Sequence, residues 1–187
     1  MQEARSELSA LYMGLKSDVE IGRKGLSDSS SGFPDRVYVK TVFSLVEGVT
    51  FRVRQYIISA ADAGIYTIGH PSLSFLSETT YKINSQGKIK EKEEYLSFLP
   101  GFKFTFKTFA ACLGMNEFAE RAFSDNGFNQ FKLSVDVRNR LTHPKRTQEM
   151  IVSRSEREMV QTAEQWFHSL ALPLIEAAFE RKNLPNQ

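Results

Sequence analysis

The strongest hydrophobic pattern lies between residues 36 and 62, where Val39, Val42, Val46, Val49, Val53, Ile57 and Ala60 recur at threes and fours. That spacing predicts one long helix with a continuous apolar stripe. A second, mixed face holds Phe43, Glu47, Phe51, Arg54 and Ile58, and a helix apolar on two sides belongs at the centre of a bundle. Upstream, Leu8, Leu11, Tyr12, Leu15 and Val19 predict a helix over 3–24. The run from Ser27 to Pro34 is a loop by composition. It is expected to divide an N-terminal helical arm and loop, residues 1–34, from the main domain, residues 35–187, with Asp35 capping the long helix.

Downstream of the long helix, Ala63-Gly64 is a stop and His70-Pro71 is expected in a loop. Residues 72–98 change character: Thr79 to Asn84 and Lys88 to Lys92 flank Ser85-Gln86-Gly87, which predicts a small β-hairpin-like insertion. Lys82, Lys88, Lys90 and Lys92 make one rim basic, and Glu91, Glu93 and Glu94 nearly cancel it. A solvated edge protected by lysines is the favoured reading, with a phosphate-contacting flap as the alternative. Phe102, Phe106, Phe109 and Leu113 predict a helix of core aromatics, closed by Gly114. Asn116 is expected to cap a short helix through Phe123, followed by a turn at Ser124 to Gly127. A helix over 127–142 follows, with Leu133, Val137 and Leu141 as its packing row, supported by Phe128, Phe131 and Val135. Ser153-x-x-Glu156 is a capping box that opens the last helix, 154–182, whose stripe is Met159, Ala163, Trp166, Leu170, Leu174 and Ala177. Pro173 is expected to kink it. The fold class expected is all-α, a bundle of four to five helices.

Composition narrows this only a little. With 187 residues the default is one domain with a real core. A net charge of +2 is too small to argue for nucleic acid, so any binding patch must be local. The single cysteine, Cys112, excludes an internal disulfide and suits a reducing cytoplasm. No 18-residue apolar stretch predicts a membrane span, and the polar N-terminus is unlike a signal peptide. His70 has no neighbouring ligand at metal spacing and His168 falls within the last helix, so both are read as structural, with no metal or cofactor expected.

The stretch Val137 to Lys145 carries the candidate chemistry. Pro144 lacks an N–H and biases its predecessor away from helix, so His143 sits at or just past a helix C-terminus. Asp136, Asn139 and His143 share a face, at spacings of three and four. Arg138 is five before His143, so on an unbroken helix the two diverge. They converge on one ligand if the helix ends near Thr142 or if a second copy of the chain supplies one of them. Arg138, Arg140, Lys145 and Arg146 form the densest unbalanced positive run, local enough to hold a phosphate backbone. The simpler reading is that cations here complement a helix dipole. Glu47 is either an ordinary interfacial charge or a carboxylate that reaches Arg138 or Asn139 and orients it.

Arg138-Asn139-x-x-x-His143 resembles the signature of the HEPN superfamily. The resemblance implies a HEPN-like helical bundle over about residues 36–182. Many members are metal-independent endoribonucleases, often toxins or defence effectors, whose homodimers bring two motif copies into one composite site. It implies RNA as substrate and Arg138, Asn139 and His143 as catalytic residues; the positive run then offers Arg140, Lys145 and Arg146 as substrate contacts, and the helix faces offer Glu47 and Asp136 as supports. An antitoxin or inhibitor protein is an implied partner, with the arm or the insertion as its docking element. The alternatives are a non-catalytic nucleotide- or RNA-binding or dimerisation module, and a purely structural role in which Arg138 pairs with Asp136 or Glu47 and His143 caps a helix.

Overall fold

A computed structural model of the chain describes residues 1–26, 32–93 and 97–180. Most of the expected loop at 27–31, Glu94 and the end of the last helix beyond residue 180 lie outside the described residues. Among the described residues helix dominates, accompanied by one two-stranded sheet.

The centre is α2, Phe33–Asp62, a rod of about 45 Å by the rise of an α-helix. Its predicted valine stripe is buried, with Val39, Val46, Val49 and Val53 all at 0% exposure. The helix starts earlier than expected. Gly32, in the left-handed conformation, is the N-cap, and Pro34 occupies the first turn, where a missing N–H costs nothing. Asp35 is therefore not a cap. It lies inside the first turn and forms an ion pair with Arg157 at 2.6 Å.

The first helix, α1, Gln2–Lys24, lies along α2 and buries Leu8, Tyr12 and Val19 in the same core. The two helices approach closely at Gly48, where an added Cβ would sit 2.8 Å from Leu15 Cδ1. His70 is not in a loop. It opens a short helix, α3, His70–Leu76, with Pro71 in its first turn, the position a proline favours.

A hairpin follows, β1 (Thr79–Ile83) paired antiparallel with β2 (Ile89–Glu93). Then α4, Phe98–Leu113, presses Phe102, Phe106 and Phe109 into the core and ends at Gly114, whose φ of 69° only glycine adopts readily. The short helix α5, Asn116–Ser124, is capped by Met115, so Asn116 is its first residue rather than its cap.

The motif helix, α6, spans Asn126–Thr142, and Asp125 caps it by accepting from the Gly127 N–H at 2.6 Å. Its packing row differs from expectation. Leu133 is 50% exposed, whereas Phe131, Ser134 and Leu141 are buried. The row runs 127, 131, 134, 138, 141, because the core lies on that side of α6. A 3-10 turn at Thr147–Met150 leads to α7, Arg154–Glu180, which continues through Pro173. The predicted capping box is present: the Ser153 N–H donates to Glu156 at 2.8 Å, and the Glu156 N–H donates to Ser153 Oγ at 3.2 Å. Aromatic rings from α4, α5, α6 and α7 meet around Phe102, which lies 4.8 Å from both Phe106 and Phe131 between centroids. None of the described helices is long and apolar enough to cross a membrane.

Candidate functional site

The shift of the packing row has a direct effect on the motif. Arg138 falls on the inward row, so its side chain runs along the core-facing side of α6 toward α2. There it forms an ion pair with Glu47, the acid on the mixed face of α2. Its guanidinium lies 5.9 Å from the centre of the Phe98 ring, a cation–π arrangement. A second guanidinium nitrogen donates to the Asn139 side-chain oxygen at 3.0 Å. The pair remains reachable from solvent, with side-chain exposures of 28% for Arg138 and 40% for Glu47.

The helix closes on two hydrogen bonds to its own last carbonyls. The His143 N–H donates to the Asn139 carbonyl at 3.2 Å, and Thr142 Oγ1 donates to the Arg138 carbonyl at 2.8 Å. His143 then leaves the helical region at φ −130°, as the following proline requires. His143, Asn139 and Asp136 are exposed. Among the described residues the His143 ring has no hydrogen bond or ion pair, and Asp136 has no ion pair. Arg138 and His143 share no partner within one chain, as their five-residue spacing implies.

The positive run is balanced only in part, by acids distant in sequence. Arg140 pairs with Glu156 at 2.9 Å and donates to the Ile151 carbonyl at 3.0 Å, which ties the end of α6 to the start of α7. Burial tends to raise the Glu156 carboxyl, but the Ser153 N–H and Arg140 outweigh it and lower it. Glu149 accepts the Lys145 backbone N–H at 2.6 Å and closes the turn after Pro144. Lys145 and Arg146 are exposed. Two of the four predicted cations, Arg138 and Arg140, thus have intramolecular carboxylate partners.

Sequence reasoning missed a second polar cluster. Glu164 sits on α7 among Ala163, Trp166 and Phe167 and is 1% exposed. It accepts from Arg23 of α1 and the Tyr38 hydroxyl of α2, and lies 3.4 Å from His168 Nε2. His168 Nδ1 is in turn 2.6 Å from the Tyr12 hydroxyl. Burial would raise the Glu164 carboxyl, yet the bonds from His168, Arg23 and Tyr38 overcome it and hold it at about 2. Burial first, and the Glu164 charge second, push the Tyr38 hydroxyl upward and that of Tyr12 to about 12. The signal available in the sequence was an acid inside an apolar stripe, four residues before a histidine on the same helix.

An open cleft of about 640 Å³, lined by Arg121, Asp125, Asn126, Gly127 and Trp166 among others, lies at the N-terminal end of α6, opposite the motif. The groups able to act chemically at the motif end are a half-exposed guanidinium, a side-chain amide and an unpartnered imidazole. Among the described residues no group of three or more His, Cys, Asp or Glu side chains is arranged to hold a metal ion. No protein-family model, curated protein or solved structure matches this chain.

Proposed function

We propose that the chain is a HEPN-like, metal-independent endoribonuclease that acts as a homodimer. The observation that carries the reading is the Glu47–Arg138 contact. It joins two residues 91 apart in the chain and holds the motif arginine beside Asn139 at a solvent-reachable edge. A guanidinium held in this way can grip a phosphate through two parallel hydrogen bonds and offset charge that develops on a phosphorane. His143 is exposed at the same helix end and belongs to the residue type that transfers protons near neutral pH.

RNA supplies its own nucleophile. The 2′-oxygen attacks phosphorus as its proton departs, the bond from phosphorus to the 5′-oxygen breaks, and that oxygen takes up a proton. His143 carries one of these two transfers. The products are a 2′,3′-cyclic phosphate and a 5′-hydroxyl. Arg138 faces α2 while His143 faces solvent, so a second copy would complete the site by setting its histidine against the arginine of the first. The experiment is cleavage of total RNA in EDTA by wild type and His143→Ala, with product ends identified. EDTA-resistant cutting that disappears in the mutant and leaves cyclic-phosphate ends is the expected result. A folded, dimeric wild type that cuts no RNA would sink the reading.

One observation favours the second reading, a non-catalytic nucleotide- or RNA-binding or dimerisation module. Glu47 already occupies part of the Arg138 fork, so a phosphate must share or displace a carboxylate. Under that reading RNA binding survives at every protein concentration with no His143-dependent cleavage.

A further inference from the structure

The hairpin is more strongly polarised than its sequence suggests. Thr80 is opposite Lys92, Tyr81 opposite Glu91, Lys82 opposite Lys90 and Ile83 opposite Ile89. Opposed residues project from the same face of an antiparallel pair, and successive residues alternate between faces. One face therefore carries Lys82, Lys90 and Lys92. Lys88, whose carbonyl accepts from the Asn84 N–H at 2.9 Å, continues it by the same alternation. The reverse face carries Tyr81, Ile83, Ile89, Glu91 and Glu93. Glu91 and Glu93, which nearly cancel the lysines along the chain, are turned away from them by the pleat.

All four lysines are exposed, and the lysines with ion pairs among the described residues are Lys16 and Lys107, both elsewhere. Lys82 and Lys90 face each other with Cβ atoms about 5 Å apart, an arrangement that repels. A bound anion relieves that repulsion.

The base of the ribbon is tied to the helix that carries Glu47. Glu78, at φ 53°, turns the chain from α3 into β1 and pairs with Arg54 of α2, which also donates to Thr105 of α4 at 2.9 Å. Arg54 is two helical turns from Glu47, about 10 Å along α2. At the other strand, Glu93 precedes Phe98 by five residues, so their Cα atoms lie within about 18 Å of each other, and the Phe98 ring is the one beneath Arg138.

We propose that the lysine face of the β1–β2 ribbon clamps the phosphate backbone of RNA beside the Arg138 end of α6. The identity of the polyanion rests on the nuclease reading; the clamp itself rests on the segregation of charge. The reverse face argues against an anionic bilayer as the occupant. Its exposed Tyr81, Ile83 and Ile89 stand beside Glu91 and Glu93, and a ribbon laid on that face would point its lysines away from the headgroups.

The test uses the full chain in a His143→Ala background, so that the probe stays intact. Binding of a labelled single-stranded RNA of mixed sequence is titrated across NaCl concentrations, with and without the combined Lys82→Gln, Lys88→Gln, Lys90→Gln and Lys92→Gln changes. Each phosphate contact contributes about 0.7 to the slope of log affinity against log salt, so the fourfold variant should flatten it by about 3. Lys90→Gln alone should flatten it by about 0.7. An unchanged slope with an unchanged unfolding midpoint overturns the clamp. So does lysine-dependent capture of phosphatidylserine vesicles in preference to RNA. The two proposals fail separately. A lysine-dependent slope without His143-dependent cleavage by the wild type retains the clamp and removes the nuclease; His143-dependent cleavage with an unaltered slope does the reverse.

Discussion

Among the carboxylate–guanidinium pairs that join helices in this molecule, two are built differently. Glu164 meets Arg23 inside the α1–α2–α7 seam, its side chain 2% exposed, with Tyr38 and His168 completing its partners. Glu47 meets Arg138 at the α2–α6 edge, where 40% of the carboxylate side chain and 28% of the guanidinium side chain remain exposed. Three neighbouring side chains engage the first carboxylate and leave it closed to solvent. The second keeps lone pairs on the acid and N–H groups on the arginine for something else. An ion pair that binds a ligand must remain incomplete without it, whereas one that holds a fold gains from being complete.

The contrast can be broken most directly at His143. Under the nuclease reading His143→Ala lowers the cleavage rate by about 10²–10⁴ and leaves the unfolding midpoint unchanged. A mutant that loses stability in step with activity would place the histidine among the structural groups.

The buried pair should behave in the opposite way. Glu164→Ala strips the partners from Arg23, Tyr38 and His168 and should cost about 3 kcal/mol in urea unfolding. His143-dependent cleavage by the folded fraction stays as it was. A loss under about 1 kcal/mol would mean that the cluster is no more than an exposed ion pair.

Acid sharpens the same point. Glu164 is held at about 2 against an ordinary 4.5. A depressed carboxyl stabilises the fold above its unfolded value and loses that contribution as pH falls toward the folded one. Wild-type stability should thus drop by about 3 kcal/mol as pH is lowered from 4.5 toward 2. Glu164→Gln should flatten that part of the profile, and parallel profiles for the two proteins would remove Glu164 as its source.

The smaller stability effect of the two ion pairs belongs to Glu47. Its pair is half open to water, so Glu47→Gln should cost less than about 1 kcal/mol. The same change should lower RNA cleavage, because Arg138 loses the anchor that orients it. A Glu47→Gln protein that is strongly destabilised but fully active would make this edge a second structural knot.

Much of the architecture was legible along the chain. The valine stripe of α2, the Ser153–Glu156 box, the Gly114 stop and the helix end before Pro144 are all local patterns, and each appears where its spacing put it. Leu133 was misplaced because a row at spacings of four and the row actually buried differ by only one position. Periodicity says that a helix has an inner face, yet the face buried on α6 is centred on a row that includes Ser134 and Arg138, and the neighbouring helices set that centre. That same placement turned Arg138 inward. The Glu47 contact was open in the sequence as one of two readings; the Glu164 cluster was not foreseen, because its members come from three helices.

The sequence by itself determined the long helices, the stops at Gly114 and before Pro144, and the presence of an arginine, an amide and a histidine within six residues at one of those ends. Backbone hydrogen bonding and side-chain periodicity act over three to five residues, so a linear reading captures them. Only the tertiary structure decided which charges are neutralised. Glu47 answers Arg138 across 91 residues, and Glu164 answers Arg23 across 141. Coulomb attraction depends on distance in space and on burial, and neither is written in sequence separation.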